Sequence, residues 1–345
     1  MAPPLTVAIP QVSEQEAQMD KLKLYDIMLG SAKPMAVRAA VLLNIPDIIA
    51  EASGSLTVEE IAAHISESTK EESPPPIEYP FRLLRFLASQ EVFIEIPHQE
   101  VFRQTRYGLT GVSGLLVKET RKGGVSVQNY VPWLLAFNNH SSLQGWLHLH
   151  ESVLEGSSAF SKAFGMSYWD YVANNPEANK TLNEAMSCDT RAVMSSVVKI
   201  YEEGFKKIDS LVDVGGGLIR VQHVSGDMFE HIPSADAIFI KSVLHDWSDD
   251  DCVRVLRRCY EAIPENGKVI IVDALIAEGK KDEDNKENLL RGVGLAFDME
   301  MMLLSTGGKE RTEMQFKQIL TKAGFKSYTI FKLPSFQNII EVSKF

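Results

Sequence analysis

The stretch Leu211–Phe229 reads LVDVGGGLIRVQHVSGDMF and holds two apolar strand patterns on either side of a glycine-rich turn. A strand that runs into three glycines is typical of a turn that lets a ligand approach the backbone closely. Such a strand normally continues into a helix and a parallel strand, a crossover of about a dozen residues or more. Here only Leu218–Arg220 separate Gly217 from the second pattern. The sequence therefore predicts that Val221–Val224 either forms a tight antiparallel hairpin with Leu211–Val214 or keeps a separate place at the end of a stretched linker.

Strand and helix patterns alternate through the rest of this half of the chain. ADAIFIKSVL and GKVIIVDALI are typical of buried strands, and DDDCVRVLRRCYEAI lies between them as a helix. Apolar strands separated by helices indicate a parallel sheet covered on both faces, an α/β fold. Residues 280–288 are expected to form a charged loop, 289–304 and MQFKQILTKAGF helices, and YTIFKL with NIIEVSKF a closing hairpin.

The N-terminal part has a different pattern, with helices followed by a small hairpin. Helical spacing runs from Glu16 to Ile49, Thr57 and Glu60 have the spacing of a capping box, and residues 81–89 form an amphipathic helix. SESTKEESPPP (66–76) is expected to be a loop, while VFIEI and RYGLT are two short strands. This order is the outline of a winged-helix module. Residues 124–200 are again helix-rich.

A winged helix can bind DNA or support dimerisation, and the charges favour dimerisation. The helix at 81–89 carries only Arg82 and Arg85 as basic residues, between acidic flanks. The whole chain of 345 residues has a net charge of −11, which disfavours nucleic acid or an anionic membrane as the main partner.

Composition and termini indicate a protein of the cytoplasm. Hydrophobic residues make up 45% of the chain and charged residues 23%, values of an ordinary globular protein. Cys188, Cys252 and Cys259 form no CxxC pair and predict buried thiols in a reducing compartment. The first residues lack the basic start and apolar core of a signal peptide. No run of about 18 apolar residues indicates a membrane span.

His245 is the residue whose position most strongly suggests chemistry. It follows an apolar strand, at the edge where α/β sheets keep their ligands. The aspartates that follow Ser248 are interpreted as helix capping, with a metal site as the weaker alternative. The glycine turn lacks the dinucleotide pattern, because Arg220 stands where GxGxxG requires glycine, so a nicotinamide oxidoreductase is disfavoured.

Taken in order, several motifs identify a family. LVDVGGG, GDMFE, LHDWSDDDC, GKVIIVDALI and GGKERTEMQF resemble the plant S-adenosylmethionine-dependent O-methyltransferases of the caffeic acid and flavonoid type. YPFRLLRFLAS, WLHLHESVLEG and FSKAFGMSYWDY match the dimerisation and connector regions of that family, so the resemblance covers nearly the whole chain. It implies a Rossmann-like methyltransferase sheet, in a catalytic domain with its helical connector at 119–345, and a winged-helix dimerisation domain at 1–118.

The resemblance also implies roles for individual residues. His245 corresponds to the catalytic base and Asp273 and Glu310 to the acidic pair beside it; the family usually has Glu where Asp273 stands. The cofactor contacts would be Gly215, Gly217, Asp227, Met228 and Lys241, and the acceptor contacts Met186, Trp247 and Met301. The chemistry suits these types, because a phenol with a pKa near 10 needs a base such as imidazole to remove its proton.

The short segment after the glycines is a departure from the family pattern. Relatives of this type continue with a helix and a strand that ends in an acid for the ribose, a block of roughly 30 residues. The predicted function is methylation of the hydroxyl of a small aromatic acceptor, in plant secondary metabolism. S-adenosylmethionine would be the donor, no metal is expected, and the chain would form a homodimer. The alternatives are methylation of nitrogen, or an inactive relative that serves as a dimer partner.

Overall fold

The computed structural model describes residues 13–52, 54–98, 101–118, 129–216, 224–278 and 285–345. The chain divides into two compact units, residues 1–134 and 135–345. The boundary falls within helix α7 (Val131–Phe137), beyond the division at 118 and 119 that the sequence predicts.

The first unit combines helices with a small antiparallel sheet. Its helices are α1 (Glu14–Met28), α2 (Ala32–Leu42), α3 (Ile45–Glu51), α4 (Val58–Thr69), α5 (Glu78–Ser89) and α6 (Gly111–Gly114), with a 3₁₀ turn at Phe102–Gln104. Its strands are β1 (Ser55–Thr57), β2 (Phe93–Ile96) and β3 (Arg106–Leu109), and β3 lies between the other two. The capping box predicted at Thr57 is confirmed, because Thr57 Oγ1 accepts from Glu60 N and the Glu60 carboxylate accepts from Thr57 N.

The second unit begins with helices and continues into a mixed sheet. The helices that precede the sheet are α8 (His140–Trp146), α9 (Leu149–Glu155), α10 (Ala159–Phe164), α11 (Tyr168–Asn174), α12 (Pro176–Ile200) and α13 (Glu202–Phe205). The sheet and its helices are β4 (Leu211–Val214), β5 (Ala237–Lys241), α14 (Asp249–Ala262), β6 (Lys268–Ile276), α15 (Asn285–Leu304), β7 (Arg311–Thr312), α16 (Glu313–Ala323), β8 (Ser327–Lys332) and β9 (Gln337–Ser343). The strand order is β4-β5-β6-β9-β8, with β7 beside β6.

The sheet is covered on both faces, as the apolar strand patterns predict. β4, β5 and β6 are parallel, and β8 and β9 form the predicted antiparallel hairpin. One face packs on α14 and α16 through residues such as Leu256 and Phe316, and the other on α12 through Val193 and Val197. The three cysteines are free and buried, in agreement with the prediction.

Two predicted loops were partly wrong. Helix α4 continues to Thr69, through the first four residues of the segment predicted as a loop, because the Ser68 and Thr69 hydroxyls donate to Ile65 O and Lys70 ends the helix in a left-handed conformation. Helix α15 begins at Asn285 and so includes the end of the charged segment 280–288.

The predicted arrangement of Val221–Val224 falls almost wholly outside the described residues, as does Gly217. Among the described residues β4 pairs with β5 alone and forms the edge of the sheet. The first residue of β4, Leu211, is 46% exposed.

Candidate active site

His245 lies in a 3₁₀ turn, Leu244–Asp246, directly after β5. Ser242 begins this turn with a φ of 52°, a left-handed conformation that bends the chain away from the strand. Ser248 then caps α14, since its hydroxyl accepts from Asp251 N, which confirms the capping interpretation. The histidine is thereby held at the carboxyl edge of the parallel strands.

Arg311 anchors this turn and was missed by the sequence analysis. Its guanidinium is 1% exposed and donates to Leu244 O and Trp247 O, both at 2.8 Å, and to Asp249 Oδ1 at 3.0 Å. The bonds therefore fix the backbone on both sides of His245. The available signal in the sequence was an arginine next to a motif glutamate. The carbonyl partners of Arg311 lie more than 60 residues away in the sequence, so this signal did not reveal them.

Three side chains that the resemblance brought together do meet in the structure. His245 Nδ1 is 2.9 Å from Glu310 Oε1 and 3.7 Å from Asp273 Oδ1. Asp273 lies on β6 and Glu310 directly before β7, and both are buried. Because an ionised carboxylate can only accept, the hydrogen bond to Glu310 places the proton on Nδ1 and leaves Nε2 able to accept one.

The electrostatics of His245 are dominated by acids. Burial alone lowers the pKa of His245, but the charges of Asp246 and Asp273 and the bond to Glu310 outweigh it and raise that pKa to about 10. Asp246 Oδ1 lies 3.9 Å from Nε2. Burial in turn raises the pKa of Asp273, against the opposing charge of His245. The protonation of His245 and that of Asp273 therefore depend on each other.

The same three residues could in principle hold a cation, since their ligand atoms lie within 4.8 Å of one another. The 2.9 Å contact between His245 and Glu310 is that of a direct hydrogen bond. Of the aspartates after Ser248, which were weighed as metal ligands, Asp249 binds Lys309 and Arg311, and Asp251 accepts from the hydroxyl of Ser248, the N-cap of α14.

The candidate cofactor residues lie around the ends of β4 and β5. Gly215 follows β4 with a φ of 73°, and a Cβ there would lie 2.6 Å from a methyl group of Val243, so only glycine suits this turn. Asp227 is exposed and its Oδ1 accepts from Phe229 N, while Met228 packs on the sheet core. Lys241 donates to Asp189 Oδ2 at 2.5 Å in a buried pair.

The candidate acceptor residues lie on three elements. Trp247 follows the histidine turn and meets Phe229 edge to face at 4.7 Å. Met301 is buried on α15, and Met186 is partly buried on α12. Helix α15 is tied to the site by Asp298, whose Oδ1 accepts from Glu310 N at 3.0 Å.

A partly buried histidine with one nitrogen fixed by a carboxylate and the other open defines a site for general-base chemistry. Comparison with known families identifies its class. The O-methyltransferase domain matches residues 146–219 and 218–326, and the O-methyltransferase dimerisation domain matches residues 25–119. The protein is thus a member of the O-methyltransferase family, as the motifs predicted.

The similarity to individual relatives extends over nearly the whole length of both chains. The chain is 36% identical to (R,S)-reticuline 7-O-methyltransferase of Papaver somniferum, with 95% of this chain and 98% of the relative covered. It is 32% identical to caffeic acid 3-O-methyltransferase 3 of Populus kitakamiensis, with 96% and 99% covered. The structure of human N-acetylserotonin methyltransferase has the same fold, with a TM-score of 0.74 at 21% identity over 97% of this chain and 99% of that one.

The match to the O-methyltransferase domain is divided in two. The two matches to the O-methyltransferase domain meet at residues 218–219, within the short segment that follows the glycine turn. The alignment with the Papaver protein extends over 361 residues, which is longer than this entire chain of 345. Some residues of the relative therefore face gaps in this chain.

Proposed function

We propose that this protein transfers a methyl group from S-adenosylmethionine to the hydroxyl of a small phenolic acceptor. The observation that supports this most directly is the imidazole of His245, whose Nδ1 donates to Glu310 while Nε2 remains available as a base. A sulfonium donor when bound supplies an electrophilic methyl carbon, so the protein has to position the acceptor and remove its proton.

Different residues of the chain position the acceptor and remove its proton. Nε2 of neutral His245 takes the phenolic proton, and the new imidazolium is stabilised by Glu310 and Asp273. Glu310 fixes the ring through Nδ1, and Arg311 fixes the turn that carries it. Trp247, Met301 and Met186 would border the acceptor, and a metal ion has no part in this scheme.

The residues of the cofactor side fit a nucleoside donor in part. Gly215 provides the left-handed turn that ends β4, and Asp227 offers an exposed carboxylate oxygen to a ribose or adenine. Asp213 is the next-to-last residue of β4, where burial raises its pKa and the charge of Lys241 opposes this. Gly215, Gly217, Asp227, Met228 and Lys241 are therefore proposed as its contacts, with the acid of the missing block absent.

The first unit would serve as a winged-helix dimerisation module. Every residue of α1 is at least partly exposed, and its apolar side chains include Leu22 at 61%, Ile27 at 75% and Met28 at 66% exposed. A second copy of the chain would cover these side chains. Sedimentation of wild type and of L22E/I27E tests this, with K21E as a control for the change in charge.

No helix in the described parts of the chain could cross a membrane. The cytoplasm is the proposed location and plant secondary metabolism the proposed setting.

Methyl transfer from labelled S-adenosylmethionine to 4-ethylcatechol tests the function. His245→Asn removes the base and should lower kcat by at least about a hundredfold, whereas Asp250→Asn, an exposed acid on α14, should leave it unchanged. Chelation with EDTA should have no effect. Equal rates for wild type and H245N would overturn the role of His245, and no transfer by the folded wild type would favour the inactive alternative.

A further inference from the structure

Asp189 is a buried acid on α12 that no role described so far explains. It is 4% exposed, and its Oδ2 accepts from Lys241 Nζ at 2.5 Å. Gln337, the first residue of β9, is also buried and donates to both carboxylate oxygens of Asp189, at 3.2 and 3.3 Å. A buried carboxylate is destabilising unless it is paired and hydrogen-bonded, and these contacts meet both conditions and fix Asp189 in one position.

Lys241 lies at the glycine turn, where the donor is proposed to bind. It is the last residue of β5, which pairs in parallel with β4 up to Val214. The glycine turn begins at the next residue, Gly215. A Cβ on Gly215 would lie 2.6 Å from a methyl group of Val243, so the turn packs on the chain that follows Lys241. The strand pairing therefore places Lys241 at the edge of the proposed donor site.

The contacts of the Lys241 ammonium leave it able to bind one more group. An ammonium has three N–H donors, and Asp189 Oδ2 and Ser242 Oγ accept two of them, at 2.5 and 3.3 Å. The third has no acceptor among the described residues and is available to an acceptor atom of the donor. A lysine side chain is flexible, so its ammonium could adopt many positions without the carboxylate. Asp189 thus selects one of them.

Stability alone does not explain a charged pair at this place. Elsewhere α12 packs on the sheet through apolar side chains such as Val193 and Val197. A buried ion pair contributes little net stability compared with apolar packing of similar volume. The pair of Asp189 and Lys241 lies instead at the carboxyl edge of the parallel strands, the edge at which α/β sheets bind their ligands.

We propose that Asp189 is a positioning residue of the donor site, which holds the ammonium of Lys241 in the orientation that binds S-adenosylmethionine. Asp189 acts through Lys241 and does not touch the donor itself. Gln337 acts one step further away, because it fixes the carboxylate. This inference rests on the proposed function, since it takes the glycine turn to be the place where the donor binds.

Calorimetry with the reaction product S-adenosylhomocysteine tests the proposal in a double-mutant cycle of wild type, D189N, K241M and D189N/K241M. D189N keeps the size of the side chain, removes its charge and should weaken binding about tenfold. K241M should weaken binding by a similar factor. Because Asp189 acts through Lys241, the double variant should bind as K241M does, without a further loss. Thermal unfolding shows whether each variant is folded.

Glu341→Gln is the matched control, because it breaks the ion pair of a lysine at the opposite edge of the sheet. Glu341 Oε2 lies 3.0 Å from Nζ of Lys268, the first residue of β6. E341Q should lower the thermal stability and leave the affinity for S-adenosylhomocysteine unchanged. A loss of affinity in E341Q as large as that in D189N would mean that general destabilisation is the cause, and would overturn the inference.

Other outcomes would also assign Asp189 a structural role alone and overturn the inference. These are unchanged affinity in D189N, a loss from D189N that is equally large when Lys241 is already methionine, and no binding by the folded wild type. Should D189N not fold, Q337M decides. It retains both charges and removes the amide that fixes Asp189, so it should weaken binding about three- to fivefold; unchanged affinity in Q337M would then overturn the inference.

A donor-binding readout separates this inference from the proposed function. A loss of affinity in D189N that disappears in the K241M background supports the inference even where wild type does not methylate 4-ethylcatechol. Methylation of 4-ethylcatechol by wild type, together with equal binding of S-adenosylhomocysteine by wild type and D189N, would overturn the inference and leave the proposed function standing.

Discussion

His245 combines two requirements that oppose each other. A base must be neutral to take a proton, yet three carboxylates raise the pKa of this imidazole to about 10. The same carboxylates stabilise the imidazolium that forms once the phenolic proton has moved. The rate of transfer should therefore rise with pH through the neutral and mildly alkaline range, as the imidazole loses its proton.

Asp273→Asn tests this account at the level of one charge. It removes a carboxylate 3.7 Å from Nδ1 and leaves Glu310 to fix the ring. The pKa of His245 should fall, so that the rising limb of log(kcat/KM) against pH moves to lower pH by roughly one unit or more. Asp250→Asn changes the net charge equally at an exposed position and should not move the limb. An unchanged profile in D273N would contradict the proposed electrostatics.

The partial burial of Glu300 on α15 predicts an effect of pH on stability. Its pKa is raised from 4.5 to about 7 by burial, so the favourable protonated state is fully present below about pH 4.5 and is lost as the pH rises through 7. Glu300→Gln has no proton to lose. The variant should gain stability over wild type between pH 5 and pH 7 and keep a constant advantage above, on the order of 1–3 kcal/mol. Thermal unfolding across this range measures the difference, with E287Q as control because Glu287 is an exposed acid on the same helix. An advantage that is the same at pH 5 and pH 8 would exclude ionisation as the cause.

At the scale of elements, the turn after β5 depends on one guanidinium. Arg311 binds two carbonyls and a carboxylate at once, which the planar fork of arginine can do and the single ammonium of lysine cannot. Its exclusion from solvent makes each lost bond costly.

Arg311→Lys should therefore lower stability by roughly 3 kcal/mol and reduce kcat, because His245 would no longer be held at one position. Lys309→Gln is the matched control. It removes a charge that binds the same Asp249 but makes no bond to the turn. Thermal unfolding and initial rates on 4-ethylcatechol separate the two variants, and a K309Q variant as impaired as R311K would refute a specific role for the carbonyl bonds.

What could be predicted from the sequence follows the range of the interactions. The capping box at Thr57 and the cap at Ser248 are set by residues three positions apart, and both were predicted. The end of α4 was placed too early, because the charged and hydroxyl residues there resemble a loop, yet the hydroxyls bond to the preceding turn. The Arg311 contacts were not predictable, since nothing local connects that residue to the turn at 244–247.

For the whole molecule, the same distinction between local and long-range interactions explains which parts of the site could be predicted. Apolar strand patterns predicted that β4, β5 and β6 are parallel. Family motifs indicated His245, Asp273 and Glu310, which the fold brings together. The partners of Lys241 were not visible in the sequence, because Asp189 is 52 residues away and has no pattern of its own. Glu300 was also overlooked, since a single acid within an apolar helix resembles a surface position until its burial is known.

The missing block is the feature that acts on the molecule as a whole. β4 forms an edge of the described sheet. The family resemblance implies that a ribose-binding acid belongs to the block for which only Leu218–Arg220 stand in this sequence. Hydrogen bonds to a charged group contribute about 1.5–3 kcal/mol each, so its loss should weaken donor binding at least tenfold.

A chimera measures this loss directly. The block of the Populus caffeic acid relative that faces the gap replaces residues 218–220, and calorimetry compares S-adenosylhomocysteine binding by chimera and wild type. The chimera should bind at least about tenfold more tightly, because it regains both the acid and a neighbour for β4. A second chimera whose ribose acid is changed to alanine should keep only the gain that comes from closing the sheet. Equal affinities for wild type and the first chimera would mean that the glycine turn, Asp227 and Met228 hold the donor without the block, and that the short segment is compatible with a working cofactor site.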